Sequence, residues 1–259
     1  MVIVVASDQH LGYVNSDKAA FNGLLDELAV EKNITDLVLL GDVVDMWRRD
    51  ASGVFLEDKD TLDKIAVLQA KMKVHYIAGN HDFHVLKLKN HSYPFQFMDE
   101  LSIPDGNFTY KFLHGWEFDD LQQPPMMEAL CRVMSDEAGS FESGAWAELT
   151  RDWSDAEYFF RSIFRKQAIR SRAELIQQPP ETRLKSGLSD VEKKAISSVK
   201  PDEVLIFGHT HHPFINSKGN VANCGSWVTD APVHNTYVRL EDGKPRLFVF
   251  GGKEITERL

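Results

Sequence analysis

Three things that this 259-residue sequence largely lacks narrow its class. It has two cysteines, Cys131 and Cys224, far apart in the chain, which excludes a disulfide framework and favours a reducing cytoplasm. No apolar run approaches the roughly 20 residues that a membrane-spanning helix needs, which leaves peripheral membrane contact open. Basic residues number 29 against 39 acidic ones, and the net charge of −10 argues against binding to duplex nucleic acid. Hydrophobic residues make up 43%, enough for one large domain or a domain with an insertion.

The sequence does contain one pattern five times, a short apolar run followed by polar side chains. Five short apolar runs have the composition of buried β-strands, and each is followed by side chains that can bind metal ions. Gly41 allows a sharp turn, which places Asp42 at the carboxyl end of its strand, where ligands bind in open α/β sheets. One Gly-Asp turn is common, but five such endings indicate a single site at the edge of a sheet. The runs and their endings are 2–6 with Asp8 and His10, 37–40 with Asp42, 74–78 with Asn80, His81 and Asp82, 108–113 with His114, and 204–207 with His209 and His211.

The order of the predicted elements gives an α/β class. Helical spacing over 17–30 and 61–72 alternates with the first three strands, and this order predicts a parallel sheet with right-handed crossovers. Residues 48–59 are polar and predict a loop beside the site. Strands are predicted again near 236–240 and 246–250. We therefore predict a core of residues 1–115 and 189–259, interrupted by a helical cap insertion over 116–188. Capping-box spacing occurs at Ser154 and Glu157 and again at Ser189 and Glu192.

The candidate ligands combine carboxylates, an amide and imidazoles, a set that suits borderline divalent ions. Mn²⁺ is the expected metal, with Fe²⁺, Zn²⁺ or Mg²⁺ as alternatives. A shared carboxylate, here Asp42, can hold two ions about 3.5–4 Å apart. Such a pair lowers the pKa of a bound water, which gives a nucleophile at neutral pH, and offsets charge that develops on a phosphoryl group. The ligand set therefore predicts metal-assisted hydrolysis at phosphorus.

The ordered motifs resemble those of the calcineurin-like metallophosphoesterases. That family has D-x-H, G-D-x-x-D, G-N-H-D or G-N-H-E, a single His, and G-H-x-H, in this order. The resemblance implies a metallophosphoesterase-type four-layer α/β/β/α sandwich with a helical cap insertion. In this chain the motifs are Asp8-Gln9-His10, Gly41-Asp42-Val43-Val44-Asp45, Gly79-Asn80-His81-Asp82, His114 and Gly208-His209-Thr210-His211.

The resemblance also implies a role for each residue. Two divalent metal ions would share Asp42. His81 would be the catalytic histidine that protonates the leaving oxygen or stabilises the transition state. Asp82 would orient His81, and Asp45 would support the ligand shell. The first ion would also be held by Asp8, His10 and His211, and the second by Asn80, His114 and His209.

One branch of the family resembles this chain more than the others do. This branch is the UDP-2,3-diacylglucosamine diphosphatases of lipid A synthesis. The features that resemble it are the Met46-Trp47 pair, the short gap to His114, the insertion and His212-Pro213. That branch typically has arginine where this chain has His81. The expected activity is hydrolysis of a phosphodiester or diphosphate bond, in a phosphorylated small-molecule or a nucleotide- or lipid-linked substrate.

Two other functions remain open at the level of sequence. His10-Leu11-Gly12-Tyr13 also resembles the start of a DNA-repair exonuclease of the same superfamily, although the acidic charge counts against a Mn-dependent nuclease. A non-catalytic scaffold with the same fold is the third candidate, although such members lose ligands and this chain keeps them. Arg161 and Arg165, on a predicted cap helix, and His84 are candidates to bind the substrate, with a solvated helix face as the alternative for the two arginines.

Overall fold

A computed structural model describes residues 1–89, 95–119 and 189–256, which form two β-sheets flanked by helices. Most of the predicted cap lies outside these residues, and with it Arg161, Arg165 and the capping-box spacing at Ser154 and Glu157. Within the described ranges, no helix is long and apolar enough to cross a membrane.

The helices and strands are short and follow one another closely. The first part of the chain contains β1 (Val2–Ala6), α1 (Lys18–Val30), β2 (Asp36–Leu40), α2 (Ala51–Glu57), α3 (Lys59–Leu68), β3 (Lys73–Ile77), a 3-10 helix (Phe83–Leu88), β4 (Gln96–Met98), β5 (Glu100–Asp105), β6 (Phe108–Leu113) and a 3-10 turn (Trp116–Phe118). The last part contains α4 (Asp190–Ser198), β7 (Glu203–Phe207), β8 (Phe214–Ile215), β9 (Val221–Asn223), β10 (Thr236–Glu241), β11 (Lys244–Val249) and β12 (Glu254–Ile255).

The predicted ligand-bearing strands divide between the two sheets. The first sheet has the order β12-β11-β10-β1-β2-β3-β4, and the second has the order β5-β6-β7-β9-β8. Strands β1 to β4 run parallel, which confirms the parallel sheet predicted from the alternation of strands and helices. Strands β6 and β7 are also parallel, but they belong to the second sheet. The expectation of one sheet edge was therefore wrong, because two sheets supply the five strand ends.

Four layers follow from strands whose side chains alternate between two buried faces. In β2, Leu40 belongs to the core between the sheets, whereas Leu39 joins the outer core that contains Phe21 of α1. In β7, Ile206 lies in the same central core, and Phe207 faces the outer core that α4 completes. Each sheet thus carries helices on its outer face, which confirms the four-layer α/β/β/α sandwich. Strands buried on both faces explain why the runs are apolar throughout.

Several local predictions differ from the structure. Residues 48–59 were predicted as a loop, but they contain α2 and the first residue of α3. Asp50 caps α2 by accepting a hydrogen bond from the Gly53 N–H at 2.8 Å, and Val54 is buried. A seven-residue helix with so few buried positions gives no periodic signal. The capping box at Ser189 and Glu192 is confirmed at the start of α4.

Candidate metal centre

The backbone at the strand ends takes an uncommon conformation. Within the described part of the chain, five of the seven non-glycine residues with positive φ are predicted ligands. Such residues are costly for an L-amino acid and gather at functional sites. Their φ angles are 58° at Asp8, 49° at His10, 51° at Asp42, 65° at His209 and 55° at His211.

Gly41 is required by close packing as well as by its own φ of +82°. A Cβ at this position would overlap the ring of His114. Glycine therefore lets β2 turn into Asp42 directly beneath a histidine from the second sheet, which brings the ends of the two sheets together.

The predicted ligand side chains converge on one buried point. His114 Nε2 lies 3.3 Å from Asp42 Oδ2 and 3.9 Å from Asp8 Oδ1. His211 Nε2 lies 3.1 Å from the same Asp8 oxygen and 3.2 Å from His10 Nε2. The ligand atoms of Asp8, His10 and His211 are within 4.8 Å of one another, and so are those of Asp8, Asp42 and His114. Carboxylate and imidazole atoms this close together can bind the same cation.

Hydrogen bonds behind the cluster turn lone pairs toward this point. The Nδ1–H of His114 donates to the Leu40 carbonyl at 2.8 Å, so in the neutral ring it is Nε2 that carries the lone pair. This Nε2 and Asp8 Oδ1 are buried without a hydrogen-bond partner. The other Asp8 oxygen is occupied, because it accepts from the His209 N–H at 3.0 Å. Acceptor atoms left unpaired in a buried site fit a bound cation.

The charges in the cluster also favour a bound cation. Burial alone would lower the pKa of His10 and of His114, but the surrounding carboxylates raise both to about 10. The pKa of Asp42 is held well below its usual value, because the fields of His114 and His81 outweigh burial. Burial and the negative charge of Asp42 raise the pKa of Asp82 to about 6. The concentration of negative charge is what draws positive charge to this site.

Asn80 and His209 complete the set from the other side. His209 Nδ1 is 3.0 Å from Asn80 Oδ1, and its Nε2 is 3.7 Å from Asp119 Oδ2. The rings of His114 and His209 meet edge to face with centroids 5.3 Å apart. All seven predicted ligands are thus brought together, from the ends of β1, β2, β3, β6 and β7.

His81 is oriented by a different acid from the one predicted. Its Nδ1 lies 3.0 Å from Asp45 Oδ1, and its ring stacks on Trp47 with centroids 4.1 Å apart. The second oxygen of Asp45 faces His10 Nδ1 at 2.9 Å. The His10 contact agrees with the expectation that Asp45 supports the ligands. The expectation that Asp82 orients His81 was wrong, because the side chain of Asp82 turns away into the protein.

Asp82 instead holds the backbone of the turn that carries Asp42. Its carboxylate accepts hydrogen bonds from the N–H groups of Gly79 at 2.6 Å and Val43 at 2.8 Å. The hydroxyl of Tyr76 donates to the same carboxylate at 2.7 Å. The family resemblance implied a contact between Asp82 and His81, but the side chains of these adjacent residues point in different directions.

Replacing Tyr76 with phenylalanine tests this support. A hydrogen bond to a charged group contributes about 1.5–3 kcal/mol, so Tyr76→Phe should lower the free energy of unfolding by about that amount. Urea denaturation measures the loss. Tyr110→Phe is the matched control, since its hydroxyl bonds the half-buried Asp105 at 3.2 Å. An equal loss in both variants would show that Asp82 has no special need of Tyr76.

Three polar residues that sequence reasoning missed lie around the last histidine motif. Thr210, between His209 and His211, donates its hydroxyl to Glu192 Oε1 at 2.8 Å and accepts from Asn223 Nδ2 at 3.0 Å. Glu192 had a capping-box signal, but nothing in the sequence linked it to residue 210.

His84, a candidate for substrate contact, lies half-buried in the 3-10 helix that follows Asp82.

The fold and the site together define a class of protein: an α/β sandwich in which metal-binding side chains from both sheets meet at one end. The chain belongs to the calcineurin-like phosphoesterase family, since the model of that family matches residues 1–213. The family is dependent on two metal ions, and the described residues offer matching groups. Membership supports a hydrolase.

Several solved structures are similar to this chain at low sequence identity. A dimetal phosphatase from Danio rerio is 14% identical, with 98% of each chain covered and a TM-score of 0.51. An archaeal phosphodiesterase is 14% identical, covering 96% of this chain and 99% of the other, with a TM-score of 0.43. Vps29 from Entamoeba histolytica is 15% identical, with 98% of each chain covered and a TM-score of 0.42. Comparison with curated proteins gives no match.

Proposed function

We propose that this protein is a dinuclear-metal-dependent phosphoesterase that hydrolyses a phosphodiester or diphosphate bond. The observation behind the proposal is the buried meeting of acceptor atoms, with His114 Nε2 at 3.3 Å from Asp42 Oδ2. Because the Nδ1–H of His114 is fixed on a carbonyl, Nε2 can donate to that carboxylate only from a charged ring, and the nearby carboxylates accordingly raise the pKa of His114 to about 10. A divalent cation would take the place of that proton between Nε2 and the carboxylate, which is why the donor set fits metal.

The ligands would form two groups that share Asp42. Asp8, His10 and His211 would complete the first group, and Asn80, His114 and His209 would complete the second. When bound, two ions would supply positive charge against the negative charge that develops on the phosphoryl group, and would acidify an attacking water. Mn²⁺ is our proposed metal.

His81 would hold the proton that the leaving oxygen needs. With Nδ1 paired to Asp45, Nε2 is the ring nitrogen left to face a substrate. The contact with Asp45 and the stacking on Trp47 limit the orientations of the ring. After Nε2 releases its proton, the neutral ring keeps its hydrogen bond to Asp45. His81 can therefore act as a general acid.

The substrate class we propose is a phosphorylated small molecule, or a nucleotide- or lipid-linked phosphate. The supports are similarity to the diphosphatase branch and the acidic net charge of −10. His81 stands where that branch typically has arginine. Arginine does not release its proton in proteins, whereas histidine does. This difference favours a substrate whose leaving oxygen must be protonated.

Metal removal and restoration test the proposal. We expect the chelated and dialysed protein to lose hydrolysis of bis(p-nitrophenyl) phosphate, because no charge then offsets the phosphoryl group. Added Mn²⁺ should restore the rate as about two ions bind per chain. Elemental analysis counts the ions, and release of p-nitrophenol gives the rate.

A substrate panel with Mn²⁺ separates the alternatives. It comprises phosphomonoesters, phosphodiesters, nucleotide diphosphates, UDP-linked lipids and labelled single-stranded DNA. The highest kcat/KM on a small diester or a diphosphate supports the proposal. Faster cleavage of DNA than of nucleotide diphosphates would indicate a nuclease. A metal-replete protein without turnover on any member would indicate a non-catalytic scaffold.

A further inference from the structure

Glu192 is a buried acid that contacts the last histidine motif from a helix outside every motif. It is 1% exposed and lies in the first turn of α4. Its Oε2 accepts a hydrogen bond from the Ser189 N–H at 2.6 Å, which closes the capping box. Its Oε1 accepts from the Thr210 hydroxyl at 2.8 Å and faces His212 Nδ1 at 3.0 Å. One oxygen therefore caps α4, and the other contacts the loop that contains Thr210 and His212.

The loop that Glu192 contacts holds two candidate ligands in a strained backbone. The φ angles of His209 and His211 are 65° and 55°, and Thr210 lies between them. Strain of this kind persists only where surrounding contacts hold it. Asn223 supplies one such contact, because its Nδ2 donates to Gly208 O at 2.7 Å as well as to Thr210. Glu192 supplies the other, by accepting a hydrogen bond from the same Thr210 hydroxyl.

Glu192 is suited to this task because it keeps its negative charge. Burial would raise the pKa of its carboxyl, but hydrogen bonding and the field from His212 hold that pKa below its usual value. Hydrogen bonds to an ionised acceptor are roughly twice as strong as those between neutral groups. The grip on Thr210 and His212 is therefore a strong one.

We propose that Glu192 is a positioning residue for the cation site that contains His211. It acts through Thr210 and His212, which flank His211 on either side. Without Oε1, the loop is free to relax toward ordinary φ angles, and His211 Nε2 then moves from its place 3.1 Å from Asp8 Oδ1. This inference rests on the proposed function, since it concerns the metal ligands of that same site.

The test is Mn²⁺ binding to the full chain, measured by calorimetry at neutral pH. Loss of support behind a metal ligand typically weakens binding by about 10- to 100-fold, and we expect this for at least one ion in Glu192→Ala. Glu192→Gln keeps an oxygen that can accept from Thr210, so it should recover most of the affinity. Wild-type affinities for both ions in Glu192→Ala would overturn the inference.

Ser189→Ala is the matched control, because it removes the other half of the capping box. Its side-chain oxygen accepts from the Glu192 N–H at 3.2 Å. This variant should lower the melting temperature as a lost cap does, yet leave Mn²⁺ binding as in the wild type. If Ser189→Ala weakens Mn²⁺ binding as much as Glu192→Ala does, helix stability explains the effect and the inference is wrong.

Thr210→Val keeps the inference testable if Glu192→Ala does not fold. It removes the hydroxyl that donates to Glu192 and leaves α4 intact, so it should weaken the same ion. Unchanged binding in Thr210→Val would overturn the inference. A wild-type chain that binds no Mn²⁺ overturns the proposed function and this inference together. If the wild-type chain binds two ions and the Glu192 and Thr210 variants bind them equally well, only the inference is overturned.

Discussion

Asp42→Ala should lose bound metal and activity together. The Asp42 carboxylate is 2% exposed, and its Oδ2 lies 3.3 Å from His114 Nε2 and 3.7 Å from His10 Nε2. It is the one side chain that we assign to both ions, so its removal takes a ligand from each. Metal supplies several kcal/mol at the transition state, and each 1.36 kcal/mol is tenfold, so kcat/KM should fall by about 10³-fold or more. Elemental analysis and a steady-state assay with Mn²⁺ measure the two losses.

Asp36→Asn is the matched control for this variant. Asp36 is a buried acid at the first residue of β2, at the other end of that strand from Asp42, and its carboxylate is 2.8 Å from His75 Nε2. Its replacement should lower stability but leave the ion count and kcat/KM unchanged, because it lies at the far end of the strand from the cluster. If Asp42→Ala keeps two ions at wild-type affinity, the shared-ligand assignment is wrong.

His81→Ala should keep both ions and lose most of its turnover. His81 lies against Asp45 and Trp47 and is not one of the seven proposed ligands. Proton transfer by a positioned side chain contributes about 10²- to 10⁴-fold, and we expect a fall in kcat of that size. The loss should be larger for an alkyl phosphodiester than for a p-nitrophenyl ester, because p-nitrophenolate leaves readily without a proton. The comparison of the two substrates measures proton donation directly.

His75→Ala controls for the loss of a buried histidine paired with an aspartate. His75 lies in β3, away from the site, and its Nε2 contacts Asp36 at 2.8 Å. Its removal should destabilise the protein without changing kcat. A wild-type rate for His81→Ala on the alkyl diester would refute the leaving-group role. An equal loss on both substrates would instead make His81 an electrostatic stabiliser of the transition state.

The Asp45 contact shows where reasoning from sequence reached its limit. The motifs identified Asp42 and Asp45, but the family resemblance assigned Asp82 as the partner of His81. In the folded chain Asp82 faces the N–H groups of Gly79 and Val43, since the turn after β3 packs its carboxylate against the turn after β2. Asp45 reaches His81 instead, at 3.0 Å across 36 positions of sequence. Such a contact depends on how two loops pack, which no local pattern records.

The sequence by itself determined which strands end in the candidate ligands. Apolar runs followed by Asp, Asn or His predict strand ends, and the carboxyl ends of parallel strands lie at one edge for reasons of backbone geometry. Only the tertiary structure decided that two sheets share the site, that His114 sits above Gly41, and that Glu192 holds Thr210. These contacts join residues far apart in the chain. They form when one sheet stacks on the other, and hydrophobic packing between the layers sets how the sheets stack. The pattern of the sequence indicates only the periodicity within each strand or helix.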